Sequence, residues 1–149
     1  MKKSLAVLGV GALILVATSG VVQAQKASPA KEARNVIYAA ASSANFKPAP
    51  MAGVSQAVLW GDPDKGAYAA YTKMEPGYDA GMHTHTNDVW IVVVKGAYLY
   101  KDDAGEKRVG PGEFIRVPGG HKHWSGSDKA EGALFYQEGS AKFDLVPAK

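Results

Sequence analysis

The 149-residue chain has four histidines and no cysteine, and all four histidines fall in two short glycine-bracketed segments. The first, Gly77 to Gly96, reads GYDAGMHTHTNDVWIVVVKG and places His83 and His85 one residue apart. The second, Gly112 to His123, reads GEFIRVPGGHKH and ends on His121 and His123. Imidazole is the commonest metal ligand among side chains, and residues i and i+2 of a strand face the same way. On a strand, His83 and His85 present two imidazoles side by side, and a third from a neighbouring strand completes a nitrogen-only metal site. Other chemistry lacks its parts: there is no Ser-His-Asp order, no phosphate-binding loop and no pair of catalytic carboxylates.

Strands must return past one another to bring such residues together, and the chain reads as short β-rich runs between turn residues. Strands are predicted near Val54–Trp60, Ala67–Met74, Val89–Lys95, Ala97–Lys101, Glu113–Val117, Ala133–Gln137 and Lys142–Val146. Clusters such as Gly61-Asp62-Pro63-Asp64, Glu75-Pro76-Gly77, Gly110-Pro111-Gly112 and Pro118-Gly119-Gly120 separate them. Asn35 to Ala41 is read as a first strand on the strength of Val36, Ile37 and Tyr38, with a short helix as the alternative. This spacing predicts an all-β sandwich or barrel in a single domain. Trp90, Trp124, Tyr98 and Tyr100 flank the histidine segments, as cavity lining or as core and surface aromatics.

Residues 1–24 are read as a secretory signal peptide rather than fold. Lys2 and Lys3 form the positive start, Leu5 to Val16 the apolar run, and Val22-Gln23-Ala24 a small-x-small cleavage site. No Cys follows for lipid attachment, and the paired basic residues are lysines, so the expected destination is the bacterial periplasm, with no membrane anchor left after cleavage. Residues 25–52 are then a flexible leader with the possible first strand, and 53–149 the folded domain. Losing Lys2 and Lys3 takes the formal charge from +3 to +1, and no basic cluster argues for nucleic acid. An exported chain without disulfides must rest on its core, a metal or oligomerisation, and a homodimer is one expectation.

The two segments resemble the paired motifs of the cupin superfamily. Gly77, His83, His85 and Gly96 fall at the first motif's spacings, and Gly112, Pro118, Gly120 and His123 at the second's. The resemblance spans roughly Gly53 to Val146 and implies a cupin-type jelly-roll β-barrel with His83, His85 and His123 as metal ligands. One departure is plain: the family's Glu position, three residues after His85, is Val89, and the four-residue variant falls on Trp90. Asp88 sits one position early and joins the site only if the turn re-aims it; an Asp there more commonly caps a turn. His121 shares the parity of His123 and is read as a supporting or solvated residue more readily than as a fourth ligand.

Three imidazoles leave coordination positions open, as reactive sites do. The expected cofactor is a divalent transition metal, zinc first with iron or copper close behind. The resemblance implies a small organic molecule as ligand or substrate, with oxygenase, lyase or isomerase chemistry, or a non-catalytic binding or sensing module. The export reading is checked by intact mass: the mature chain should begin at Gln25 or its cyclised form, and a soluble folded protein retaining residues 1–24 would contradict it.

Overall fold

Buried and more exposed residues alternate along Val89–Val94, Tyr98–Lys101, Phe114–Val117 and Ala133–Gly139, where two sheets close over one interior. The computed structural model describes residues 36–149; the expected signal peptide and the leader residues before Val36 lie outside them. Eleven strands follow in order: β1 Lys47–Pro48, β2 Val54–Gly61, β3 Tyr68–Met74, β4 Asp79–Thr84, β5 Val89–Gly96, β6 Tyr98–Asp102, β7 Gly105–Val109, β8 Phe114–Val117, β9 His123–Ser127, β10 Ala133–Gly139 and β11 Val146–Pro147. One sheet runs β1-β2-β3-β10-β5-β8 and the other β11-β4-β9-β6-β7, with every strand pair antiparallel. The fold is the expected all-β jelly roll, and no helix occurs among the described residues.

The interior is divided between two kinds of packing. Val89, Ile91 and Val93 of β5, Ile115 and Val117 of β8, and Phe135 of β10 form an apolar cluster with Tyr98, Tyr100 and Val109. Burying each such side chain contributes about 1.5–3 kcal/mol, and the Phe135 ring meets Tyr98 edge-on at 5.4 Å. Polar side chains take the inward positions of β3, β4, β9 and the far end of β10: Thr72, His83, His123, Ser125 and Gln137 are all buried. They are held by their partners. Gln56 donates to Thr72 Oγ1 at 3.2 Å, Thr72 donates to Gln137 Oε1 at 3.2 Å, and Gln137 Nε2 donates to the Tyr68 hydroxyl.

Two expected strands differ. Residues 36–40 have no regular structure and 41–43 form a turn. Val36 and Tyr38 are almost fully exposed, with no strand among the described residues to cover an apolar face, so the first described strand is instead the two-residue β1. Strand pairing is also missing from 142–145, because backbone groups there bond to a loop and to side chains instead. Phe143 N donates to Pro63 O, and the Asp144 carbonyl faces His85. Only β11 pairs, with Thr84 and His83 of β4. β4, β7 and β9 were not among the expected strands.

Gly96, at the turn from β5 to β6, has φ +70°, and a Cβ there would lie 2.2 Å from the Gly132 carbonyl oxygen. Gly66 has open space around it. Gly96→Ala should therefore cost more than about 2 kcal/mol, strain and steric clash together. Gly66→Ala should stay within about 0.5 kcal/mol. Urea midpoints of the two variants check this.

Candidate metal centre

His83 is inward on β4, and the register places it directly opposite His123 of β9. Their ring centroids are 4.2 Å apart. His85 follows two residues after His83, 4.9 Å from it and 5.3 Å from His123. One nitrogen from each ring lies within 4.8 Å of the other two. All three rings are buried, His123 completely. The structure thus brings together the three histidines expected from the motifs.

Each ring is fixed through its Nδ1. His83 donates to Gly81 O at 2.9 Å, His85 to Asp144 O at 2.5 Å, and His123 to His121 O at 3.0 Å. A carbonyl only accepts, so these contacts assign the proton to Nδ1 and leave the Nε2 lone pairs unprotonated. The His123 Nε2 is buried without a hydrogen-bond partner. Such an atom normally costs free energy, and a cation shared by three converging lone pairs would satisfy it. The residues fit a metal that takes imidazole nitrogen. Burial holds all three pKa values below the ordinary imidazole value, that of His123 at about 4, so the rings are neutral and able to ligate at neutral pH.

The surrounding groups set the ring positions. The Asp88 carboxylate faces away from the cluster: it accepts from Arg116 Nε at 3.0 Å, Arg116 Nη2 at 2.5 Å and Gly119 N at 2.9 Å. It pins the turn that leads to His123, while Val89, at the family's Glu position, packs into the core. That turn must also pass close to Thr86, since a Cβ on Gly119 would come within 2.5 Å of the Thr86 carbonyl oxygen. His121 is exposed; its ring accompanies Asp102 at 2.9 Å while its carbonyl serves His123. Asp102 also accepts from the Tyr100 hydroxyl at 2.8 Å, and the Tyr100 ring stacks on His123 at 5.3 Å.

Of the four flanking aromatics, Tyr98 lines the cavity beside the imidazoles and Tyr100 packs on His123. Burial pushes the Tyr98 hydroxyl up to about 12 despite its hydrogen bond with Ser125. Trp124 faces outward and donates to Asp79 at 2.7 Å. Trp90 joins Val92, Phe114 and Tyr136 on the outer face of the larger sheet. The sequence reading missed Asp102, Asp144, Thr72 and Gln137. Thr72 and Gln137 left a trace, as polar residues at inward positions of otherwise apolar strands. Asp144 left none, because it acts through its carbonyl.

Residues 34–142 match the family of ChrR cupin-like domains. The chain belongs to that family, within the cupin superfamily. Among solved structures, this cupin is similar to the polyketide cyclase RemF from Streptomyces resistomycificus, at 16% identity and a TM-score of 0.64, covering 77% of this chain and 87% of that one. It is also similar to KdgF from Halomonas sp., at 18% identity and a TM-score of 0.54, covering 66% and 90%. The Rhodobacter sphaeroides complex of SigE with the anti-sigma ChrR gives 19% identity and a TM-score of 0.53, covering 66% of this chain and 50% of that one. At these identities the likeness establishes the fold. No curated protein matches by sequence.

Depressed imidazole pKa values make the metal-free protein sensitive to acid. The unfolded chain protonates its histidines near pH 6.5, whereas folded His123 does so only near pH 4, so the unfolded state binds more protons between those values. Stability should therefore be fully present above about pH 6.5 and fall as pH drops toward about 4. Urea unfolding of metal-free protein at a series of pH values checks this, and a midpoint independent of pH across that window would contradict it.

Proposed function

We propose that this cupin holds one divalent transition metal on His83, His85 and His123 and presents its open coordination positions to a small organic molecule. The observation that carries the reading is the convergence of one nitrogen from each of the three rings, with the Nε2 of His123 buried without a partner. Zinc is the first candidate and iron or copper the next, since neutral imidazole suits all three and zinc and copper bind tightly in such sites. A bound ion would supply Lewis-acid polarisation of a ligand oxygen, or redox chemistry if it is iron or copper. The protein's own part is to orient the imidazoles through Gly81, His121 and Asp144, and to exclude bulk water with the segment Ser140–Lys149, whose Phe143 and Leu145 line the cavity. Residues 1–24 support the periplasm as its place of action.

A second reading, a binding or sensing module without turnover, is favoured by Val89 at the position where the family carries Glu. The three-His set provides no protein carboxylate beside the ion to act as a base. ChrR, an anti-sigma protein with a cupin-like fold, offers a parallel for such a role.

Zinc titration of metal-free protein tests the ligand set. His83→Ala, His85→Ala and His123→Ala should each abolish tight binding, and Asp88→Asn should retain it. Asp102→Ala should weaken it by less than the roughly 10- to 100-fold lost with a direct partner of a ligand, since Asp102 acts only through Tyr100 and His121. Loss of zinc by Asp88→Asn as complete as by His83→Ala would replace the three-His set. Metal analysis of protein recovered from its native compartment separates the roles: iron supports an oxygenase, zinc a lyase or binding role.

A further inference from the structure

The outer face of the larger sheet is covered on one side and bare on the other. Residues 39–46 form an arm across β3: the Tyr71 hydroxyl donates to Ala39 O at 3.3 Å, and Lys73 lies over the Phe46 ring at 3.7 Å. On that side Ala57 and Ala69 are buried, although both share the outward parity of Tyr71. The cover ends at β10. Beyond it Val92 and Val94 of β5 and Phe114 of β8 are 36%, 43% and 60% exposed, and β8 is the edge strand of the sheet. An apolar face beside an open edge invites a partner.

The side chains on the bare part stand in rows across three strands. Register places Tyr136, Val92 and Phe114 in one row and Glu138, Trp90 and Arg116 in the next. An aromatic ring thus stands on either side of Val92, and an acid and a base on opposite sides of Trp90. This pattern is complementary to itself. A twofold axis running along β5 lays β10 of each copy over β8 of the other, in the aligned manner of packed sheets. Glu138 then meets Arg116 of the second copy twice, Tyr136 meets Phe114 of the second copy twice, and Val92 packs on its own counterpart. A twofold at right angles to β5 sets Glu138 on Glu138 or on an apolar neighbour instead. Both charged groups have atoms to spare. Arg116 gives Nε and Nη2 to Asp88, and Glu138 accepts from the Tyr136 hydroxyl on Oε2. Nη1 and Oε1 keep no hydrogen-bond partner among the described residues, so one guanidinium can bridge two carboxylates.

The arm fits the same arrangement. Rotation about β5 carries the second copy's arm from above β3 to the open side of β8, level with Phe114, where it clears the covered half of the face. Val36, Ile37 and Tyr38, exposed in a single copy, come to lie beside that edge.

We infer that the β10-β5-β8 face is the contact between two copies of this chain, related by a twofold axis along β5, with Glu138 paired to Arg116 across it and Val92 at its centre. The contact is on the outside of the sheet and the imidazoles are inside, so the inference is independent of the metal reading.

Sedimentation equilibrium of the purified protein tests it, with circular dichroism confirming the fold of each variant. The parent should be a dimer at micromolar concentration. Val92→Asp should weaken that dimer at least about 100-fold, since it presses a carboxylate against its own counterpart. Glu138→Arg and Arg116→Glu should each weaken it at least about tenfold by setting like charges face to face. Mixed in equal amounts, these two variants should recover the dimer, because both charge pairs are then opposite in sign again. A parent that stays monomeric at hundreds of micromolar, or a dimer indifferent to Val92→Asp, overturns the interface. Variants that dimerise no better mixed than apart overturn the twofold arrangement. Should Arg116→Glu, which also loses its bond with Asp88, fail to fold, Val92→Asp and Glu138→Arg still decide the interface.

Discussion

Three neutral imidazoles converge in the interior with their lone pairs facing one another, and this arrangement stands only because each ring is held from behind. The carbonyls that hold them come from Gly81 on β4, His121 in the turn before β9 and Asp144 in the C-terminal segment. Three separate stretches of backbone must therefore be placed to within hydrogen-bonding distance. Features that look merely structural are drawn into that task. Asp88 pins the turn at Gly119, Gly120 N donates to His85 O at 2.7 Å, and Asp102 ties His121 to Tyr100. Asp144 is fixed by its own carboxylate gripping Thr86.

The divided interior follows from the same constraint. A core of polar groups cannot stabilise a small β domain by itself, so the apolar cluster of β5, β8 and Phe135 supplies the hydrophobic stabilisation. β10 serves both halves, with Phe135 on one side and Gln137 on the other, two residues apart on the same face. Filling the polar half with amides and hydroxyls satisfies buried donors without introducing charge.

Much of this was legible in the sequence, and the parts that were not share a cause. β5 is apolar at Val89, Ile91 and Val93 and β10 at Ala133 and Phe135, so both carry the strand pattern openly. β4 and β9, DAGMHT and HWSGS, place His and Ser where a strand ordinarily shows apolar residues, so the chemistry erased the periodicity that reveals a strand. β7, GEKRV, is an exposed edge, and its charges read as a turn. The histidine triad was legible because its spacing survives without the strand pattern. Asp144 and Asp102 were not, since one contributes a carbonyl and the other touches no imidazole of the triad, acting only through Tyr100 and His121. Val36 to Tyr38 misled in the opposite sense, showing β-forming residues with no partner strand to accept them.

The dependence of His85 on Asp144 fixes an order of events. His83 and His85 are neighbours from the start, but His123 lies 40 residues beyond His83, and the carbonyl that orients His85 is 59 residues away. Long-range contacts of this kind close slowly, after local structure has formed. A growing or partly folded chain offers a metal only the adjacent pair, without the third nitrogen and with one ring free to rotate. Tight capture of the proposed metal would thereby wait until the C-terminal segment has docked, and occupancy would then report a completed fold.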